Sequence, residues 1–325
     1  MPMQYSQRMK NILVLGGSGF VGAHVCEQLV RAGWTITVPT RRRVNAQAIQ
    51  HLPGLTVLEL DIHDQAALTR AMAGHTAVVN LVAILHGDAQ AFERAHVQLA
   101  EKIAQACVAN GVAQLVHISA LGADPAHRDT APSRYLRSKS AAEAVLVQAL
   151  AGQTDMRLSV LRPSVIFGAR DKFLNVFAAL QAVFPFIPLA GADARFQPVW
   201  VCNVAQAVVR VLALPPGDAR VRTWELVGPQ VMRLRELVHL AGVLSGAGGG
   251  HGRPIFGLPM WLARIQAFLM ELAPGAPMMS RDNLDSMRLD NVASPHMPGL
   301  AELGIHAAAL EPVASTYLRP AAAPR

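Results

Sequence analysis

Short apolar runs and segments of helical period alternate through the first half of the chain. Residues 12–15, 35–38, 57–60, 77–82, 115–118 and 158–161 are dominated by Ile, Leu, Val and Ala, as strands buried on both faces require. Between them, residues 21–31, 66–73, 89–110 and a stretch from Ser133 to Leu150 read as helices. In the third, Phe92, Val97, Ile103 and Val108 recur at helical spacing and Gly111 ends the segment. This alternation predicts an α/β fold, a doubly wound parallel sheet with ligands at the carboxyl ends of its strands. Beyond residue 163 the pattern changes: 173–184 reads as an apolar helix, 185–188 as a break, 196–201 as a strand and 204–214 as a helix. A strand at 224–227 and helices at 234–244 and 260–272 follow. Residues 1–163 are therefore expected to form the larger domain, with part of 196–230 returning to it, and 164–325 a smaller lobe with a frayed tail over 320–325.

The first strand runs straight into Gly16-Gly17-Ser18-Gly19-Phe20-Val21-Gly22. Strand, glycine turn and helix in that order are the context of a Rossmann dinucleotide site. Gly16 and Gly17 are expected to supply positive φ, Gly19 to let a pyrophosphate approach the backbone, and Gly22 to let the helix pack against the strand. The helix start would then offer free N–H groups and its positive dipole end to phosphates. The second strand leads into Pro39-Thr40-Arg41-Arg42-Arg43, where a site for NAD(H) usually carries an acidic residue for the ribose. Arginine there can fork onto a 2′-phosphate, so Thr40, Arg41 and Arg42 favour NADP(H) over NAD(H). Asp61 and Ile62 are placed for the adenine edge, and Leu81, Val82 and Ala83 would pass under the ribose. Pro163 and Ser164 begin a turn that would close over the nicotinamide.

Tyr135 and Lys139 stand four apart on one helical face. A nearby ammonium lowers a phenol's pKa, and such a pair can exchange a proton with a carbonyl oxygen while hydride moves. His96 reads as a satisfied histidine at the edge of the core. No cluster in the sequence has metal-ligand spacing.

Composition narrows the partners. The 325 residues are 52% hydrophobic and 16% charged, with a net charge of +7, which suits an anionic ligand or an acidic membrane surface. Basic residues are scattered and there are only three tyrosines, so nucleic acid is not expected. Cys26, Cys107 and Cys202 lie far apart in apolar patterns and read as reduced core residues of a cytoplasmic chain. Neither a signal peptide nor a spanning helix is predicted. The 260–272 helix has a wide apolar surface and a thin polar strip carrying Arg264 and Glu271. It reads either as a cover packed on the core or as a face that docks on a membrane or partner.

The glycine turn, the Tyr135–Lys139 pair and the Leu161-Arg162-Pro163-Ser164 turn resemble an atypical or extended short-chain dehydrogenase/reductase of the NAD-dependent epimerase/dehydratase group. Further segments are similar to the family of the NADPH-binding accessory subunit of respiratory complex I and its bacterial stand-alone relatives. They are Ser133-Arg-Tyr-Leu-Arg-Ser-Lys139, Ile166-Phe-Gly-x-x-Asp171-x-Phe-Leu-Asn175, Phe196-Gln-Pro-Val-Trp-Val201 and Ser280-Arg-Asp282. Active reductases of the group carry two hydroxyl residues after the fifth strand; here the pair is Ser119-Ala120, which puts Ala120 at the catalytic hydroxyl position. The resemblance implies a nicotinamide dinucleotide ligand held for structure, regulation or weak, specialised redox activity. It also implies links to quinone or the respiratory chain, and a peripheral place at the inner face of the cytoplasmic membrane. Two other readings stay open: an active reductase or epimerase on a small apolar carbonyl or sugar-nucleotide substrate, with Ser119 reaching in beside Tyr135, and a non-enzymatic assembly or membrane-associated factor.

Overall fold

The structure, a computed structural model, describes residues 10–151, 155–217, 219–272 and 279–318; the tail expected to fray lies outside these. Strands β1 (Asn11–Leu15), β2 (Thr35–Thr40), β3 (Leu55–Glu59), β4 (Ala77–Asn80), β5 (Gln114–Ile118) and β6 (Arg157–Pro163) pair in parallel with the strand Val221–Leu226. The order across the sheet is Val221–Leu226, β6, β5, β4, β1, β2, β3, with the direction of winding reversing between β1 and β4. In open sheets of this kind the crevice at that reversal is where ligands bind.

Alternation along each strand feeds two apolar layers. Ile12 and Val14 turn to one face, with Val25 and Leu29 of helix α1 (Phe20–Arg31) and Val204, Val208 and Val211 of the Val201–Ala213 helix. Leu13 and Leu15 turn to the other, with Leu68 and Met72 of helix α2 (Gln65–Met72), Ile103 of Leu99–Ala109 and Leu146 of Arg134–Leu150. Fully burying one such side chain contributes roughly 1.5–3 kcal/mol. The expected 89–110 helix is present but carries a π-helical stretch over Glu93–Gln98, which brings His96 into the interior.

The C-terminal half departs from the sequence pattern in two places. The expected break at 185–188 is partly a strand, Ile187–Ala190, paired in parallel with Ile255–Leu258. The expected strand over 196–201 is two short pieces, Arg195–Phe196 and Val199–Trp200, and Val201 already begins the next helix. Pro198, between the pieces, has no N–H to give to a ladder. The helices Leu174–Val183 and Leu234–Leu244 join a separate apolar cluster around Phe167, Leu237 and Leu310. No helix among the described residues is long and apolar enough to cross a membrane.

The close approach of α1 to the end of β1 permits no side chain. A Cβ added at Gly22 would lie 2.2 Å from the Gly16 carbonyl oxygen and 2.6 Å from Gly17 Cα. Backbone cannot yield as a side chain does, so Gly22→Ala is expected to lower folding stability in urea by about 3 kcal/mol or more. An unchanged midpoint would show that the turn relaxes freely.

Candidate functional site

The glycine turn lies at the reversal point. Gly16 adopts φ 80° and its missing Cβ would lie 3.2 Å from the Leu81 carbonyl carbon and the Val82 nitrogen, so the turn and the β4 exit are in backbone contact. Gly17 differs from expectation: its φ is not positive, and glycine is needed there because Val38 methyls lie 2.9 Å from a Cβ position. Gly19 is the N-cap of α1, with no side-chain cap and no acidic residue in the first turn. Its N–H goes back to Gly16 O, while the first-turn N–H groups of Phe20, Val21 and Gly22 have no carbonyl four residues earlier inside the helix. Ser18 sits partway round the same turn. A bare, uncharged helix start framed by glycines fits a pyrophosphate.

At the β2 end, Thr40 is buried and donates its hydroxyl to the Arg42 carbonyl at 3.2 Å. Arg43 is held by β3: its N–H donates to Glu59 and its guanidinium to Val57 O. Arg41 and Arg42 are exposed, and neither guanidinium has an ion-pair partner among the described residues. Asp61 accepts the His63 N–H at 2.9 Å in a local turn, and Ile62 packs its side chain on the core. Leu81 and Val82 are half-buried and Ala83 is exposed, while Asn80 fixes their path by accepting the Val82 N–H at 3.1 Å.

Ser133 caps the helix carrying the pair, accepting the Leu136 N–H, and Lys139 turns inward to donate from Nζ to Ile118 O at 2.7 Å. Burial pushes the Lys139 ammonium down to about 8, opposed in part by Glu143. Tyr135 runs against the expected lowering. Desolvation pushes its phenol up to about 12, and Lys139 does not counter it. Ala120 packs with Ala131 and Leu136 against the Tyr135 ring, so a methyl occupies that neighbourhood. Ser119 is buried, and its hydroxyl has no hydrogen-bond partner. Pro163 O accepts the Leu121 N–H, and the Ser164 hydroxyl is taken by Asn291 Oδ1 at 2.5 Å.

Several supporting contacts escaped the sequence reading. His96 is satisfied as expected, but as a clamp: Nε2 accepts the Ile84 N–H at 3.1 Å, so Nδ1 carries the proton and meets Ser138 Oγ at 2.7 Å. Ser138 in turn donates to Tyr135 O, joining the loop after β4 to the Tyr135 helix. Burial, then the nearby Lys139 charge, lowers His96 to about 3 and keeps it neutral. Asp282 accepts the Arg134 and Tyr135 N–H groups at 2.7 and 3.1 Å, holding that helix start from the C-terminal half. Arg162 makes a two-pronged, largely buried pair with Glu143 at 3.0 and 2.6 Å. The sequence had singled out His96, Arg162 and the Ser280-Arg-Asp282 segment, but not the partners they hold.

A buried lysine depressed from 10.5 to about 8 binds fewer protons in the folded than in the unfolded chain across that interval. Its contribution to stability therefore rises with pH from about 8 to 10.5. The difference in unfolding free energy between the wild type and Lys139→Met should change in that sense, by up to about 3 kcal/mol. A difference flat across that interval would show that Lys139 titrates normally.

With this geometry in view, comparisons with known proteins agree on one group. NADH dehydrogenase (ubiquinone) 1 alpha subcomplex subunit 9 of mouse mitochondria is 30% identical over 313 residues, 92% of this chain and 77% of the mouse protein. The Arabidopsis thaliana protein of the same name is 31% identical over 234 residues, 70% of this chain but only 56% of its own length. Among solved structures, an NADPH-dependent quinone oxidoreductase from Escherichia coli complexed with NADPH superposes with a TM-score of 0.71 at 20% identity. That match covers 94% of this chain and 99% of the other and shows a shared fold. Residues 12–225 match the NAD dependent epimerase/dehydratase family, and the chain belongs to it.

Proposed function

We propose that this chain is an NADP(H)-binding protein related in role to the complex I subunits it resembles, holding its nucleotide tightly and turning it over slowly. The observation that carries the nucleotide preference is the end of β2, where Arg41 and Arg42 are exposed without ion-pair partners and Arg43 alone is engaged by β3. In this reading the turn from Gly16 to Gly22 binds the diphosphate, Arg41 or Arg42 the 2′-phosphate, and Asp61 and Ile62 border the adenine. Leu81 to Ala83 underlie the ribose next to the diphosphate, Tyr135 and Lys139 bind the nicotinamide ribose, and Pro163 and Ser164 border the ring. Bound NADPH supplies hydride. The chain's own contribution to proton transfer is poor: an acid–base group works best near the operating pH, whereas the Tyr135 phenol is held near 12 beside an alanine. That combination supports slow, specialised redox chemistry. A quinone or lipid-like acceptor suits the apolar C-terminal half better than a sugar nucleotide does.

Replacing Arg41 and Arg42 together by Glu is expected to weaken NADPH by at least about tenfold, while NADH changes little or binds better. Isothermal titration of both nucleotides reads this directly. Equal losses for the two would overturn the 2′-phosphate assignment.

A further inference from the structure

The Met260–Glu271 helix is packed the wrong way round for a core helix. Only Ala263 and Ala267 are buried, against Ala190 and Leu284. Its large side chains face outward: Trp261 is 67% exposed, Leu269 60% and Leu272 66%, beside Met260, Ile265 and Phe268. The sequence left two readings for this segment, a cover packed on the core or a docking face; the helix packs on Ala190 and Leu284 by its two alanines and leaves its large apolar side chains outward. Phe186 and Phe256, each more than half exposed and in edge-to-face contact at 5.9 Å, extend the apolar surface along the strand pair that leads into the helix.

The same helix forms one wall of a polar cleft of about 600 Å³, whose opposite wall is the start of the Tyr135 helix. Arg134, Arg137, Arg264 and Arg281 line it. Arg264 is paired with Asp285 and Arg281 with Glu271. Of the two remaining carboxylates, Asp282 uses both oxygens on backbone N–H groups and Asp88 uses Oδ1 on the Ala91 N–H. Arg134 and Arg137 line the cleft without a close ion pair to a carboxylate among the described residues: Arg134 acts on Glu271 only through its charge, and Arg137 donates to the Ala131 carbonyl. Cleft and apolar face meet where the Arg281 guanidinium lies over the Phe268 ring at 5.1 Å.

A ligand matching both features has an anionic head and a hydrocarbon body. We propose that this face docks on a bilayer bearing anionic phospholipid, a lipid phosphate entering the cleft at Arg134 and Arg137 while Trp261, Ile265, Phe268 and Leu269 enter the acyl region. Arginine forks onto phosphate oxygens, a broad helix face of this kind inserts at the interface, and the chain's net charge of +7 favours an acidic surface. The proposal rests on the cleft and the helix and goes beyond the nucleotide reading, because none of these residues touches the glycine turn.

Co-sedimentation of the full chain with vesicles tests it, using phosphatidylcholine alone and phosphatidylcholine mixed with phosphatidylglycerol. Wild type should bind the mixed vesicles at least about tenfold more tightly. Arg134→Gln with Arg137→Gln should erase that ratio, and Trp261→Gln with Leu269→Gln should weaken binding to both vesicle types. NADPH titration of each variant confirms folding and separates this result from any failure of the nucleotide assignment. Equal binding to both vesicle types, no binding, or a ratio untouched by the arginine changes would overturn the proposal. So would a vesicle-free dimer that the Trp261 and Leu269 changes dissociate, which would give the face to a second copy.

Discussion

Backbone contact between the first turn of α1 and the end of β1 governs the geometry at the centre of this molecule. With Gly22 pressed against Gly16 O, the N-terminus of α1 can point only at the gap between β1 and β4, the reversal point of the sheet. Gly16 at the same time touches the Leu81–Val82 backbone, so two strand exits and a helix dipole converge within one turn of chain. An anion bound there meets fixed N–H groups that need no rearrangement.

Behind that turn lies a polar layer whose members are mostly committed to holding one another. Asn80 and His117 are 3.1 Å apart, His96 bridges Ile84 and Ser138, and Lys139 donates to Ile118 O. These bonds tie the loop after β4, the exit of β5 and the Tyr135 helix into one unit, with Asp282 fastening the helix start from the other side. Two of the buried polar atoms left without partners among the described residues, Ser119 Oγ and His117 Nε2, belong to the β5 exit itself. Such a layer fixes positions well, and burial raises the Tyr135 phenol to about 12, lowers the Lys139 ammonium to about 8 and keeps His96 neutral.

Much of the sheet was legible because its signal is local. An apolar run four or five residues long followed by glycines can be read without knowing what packs on it, and β1, α1 and the Leu234–Leu244 helix fall where the pattern puts them. Ile187–Ala190 was hidden because Pro188 argues against a strand and its partner, Ile255–Leu258, lies far along the chain. Candidate ligand groups on turns were visible for the same local reason, whereas the partners of His96 and Asp282 were not. Their roles depend on contacts 42 and 147 residues away, with Ser138 and Tyr135. The sequence also set Tyr135 beside Lys139 correctly on one helical face but gave the wrong sign for the phenol, because spacing reports proximity and says nothing of desolvation.

The central claim is a nucleotide that is held firmly and reacts slowly, and a single-turnover experiment addresses it most directly. The protein is loaded with NADPH and freed of excess, and the absorbance of the bound nicotinamide is followed after addition of quinone analogues and a panel of carbonyl compounds. The account predicts nucleotide that survives removal of excess and is oxidised slowly, with the slow phase lost in Tyr135→Phe. Rapid oxidation through many turnovers, or NADPH that washes away before any acceptor is added, would contradict it.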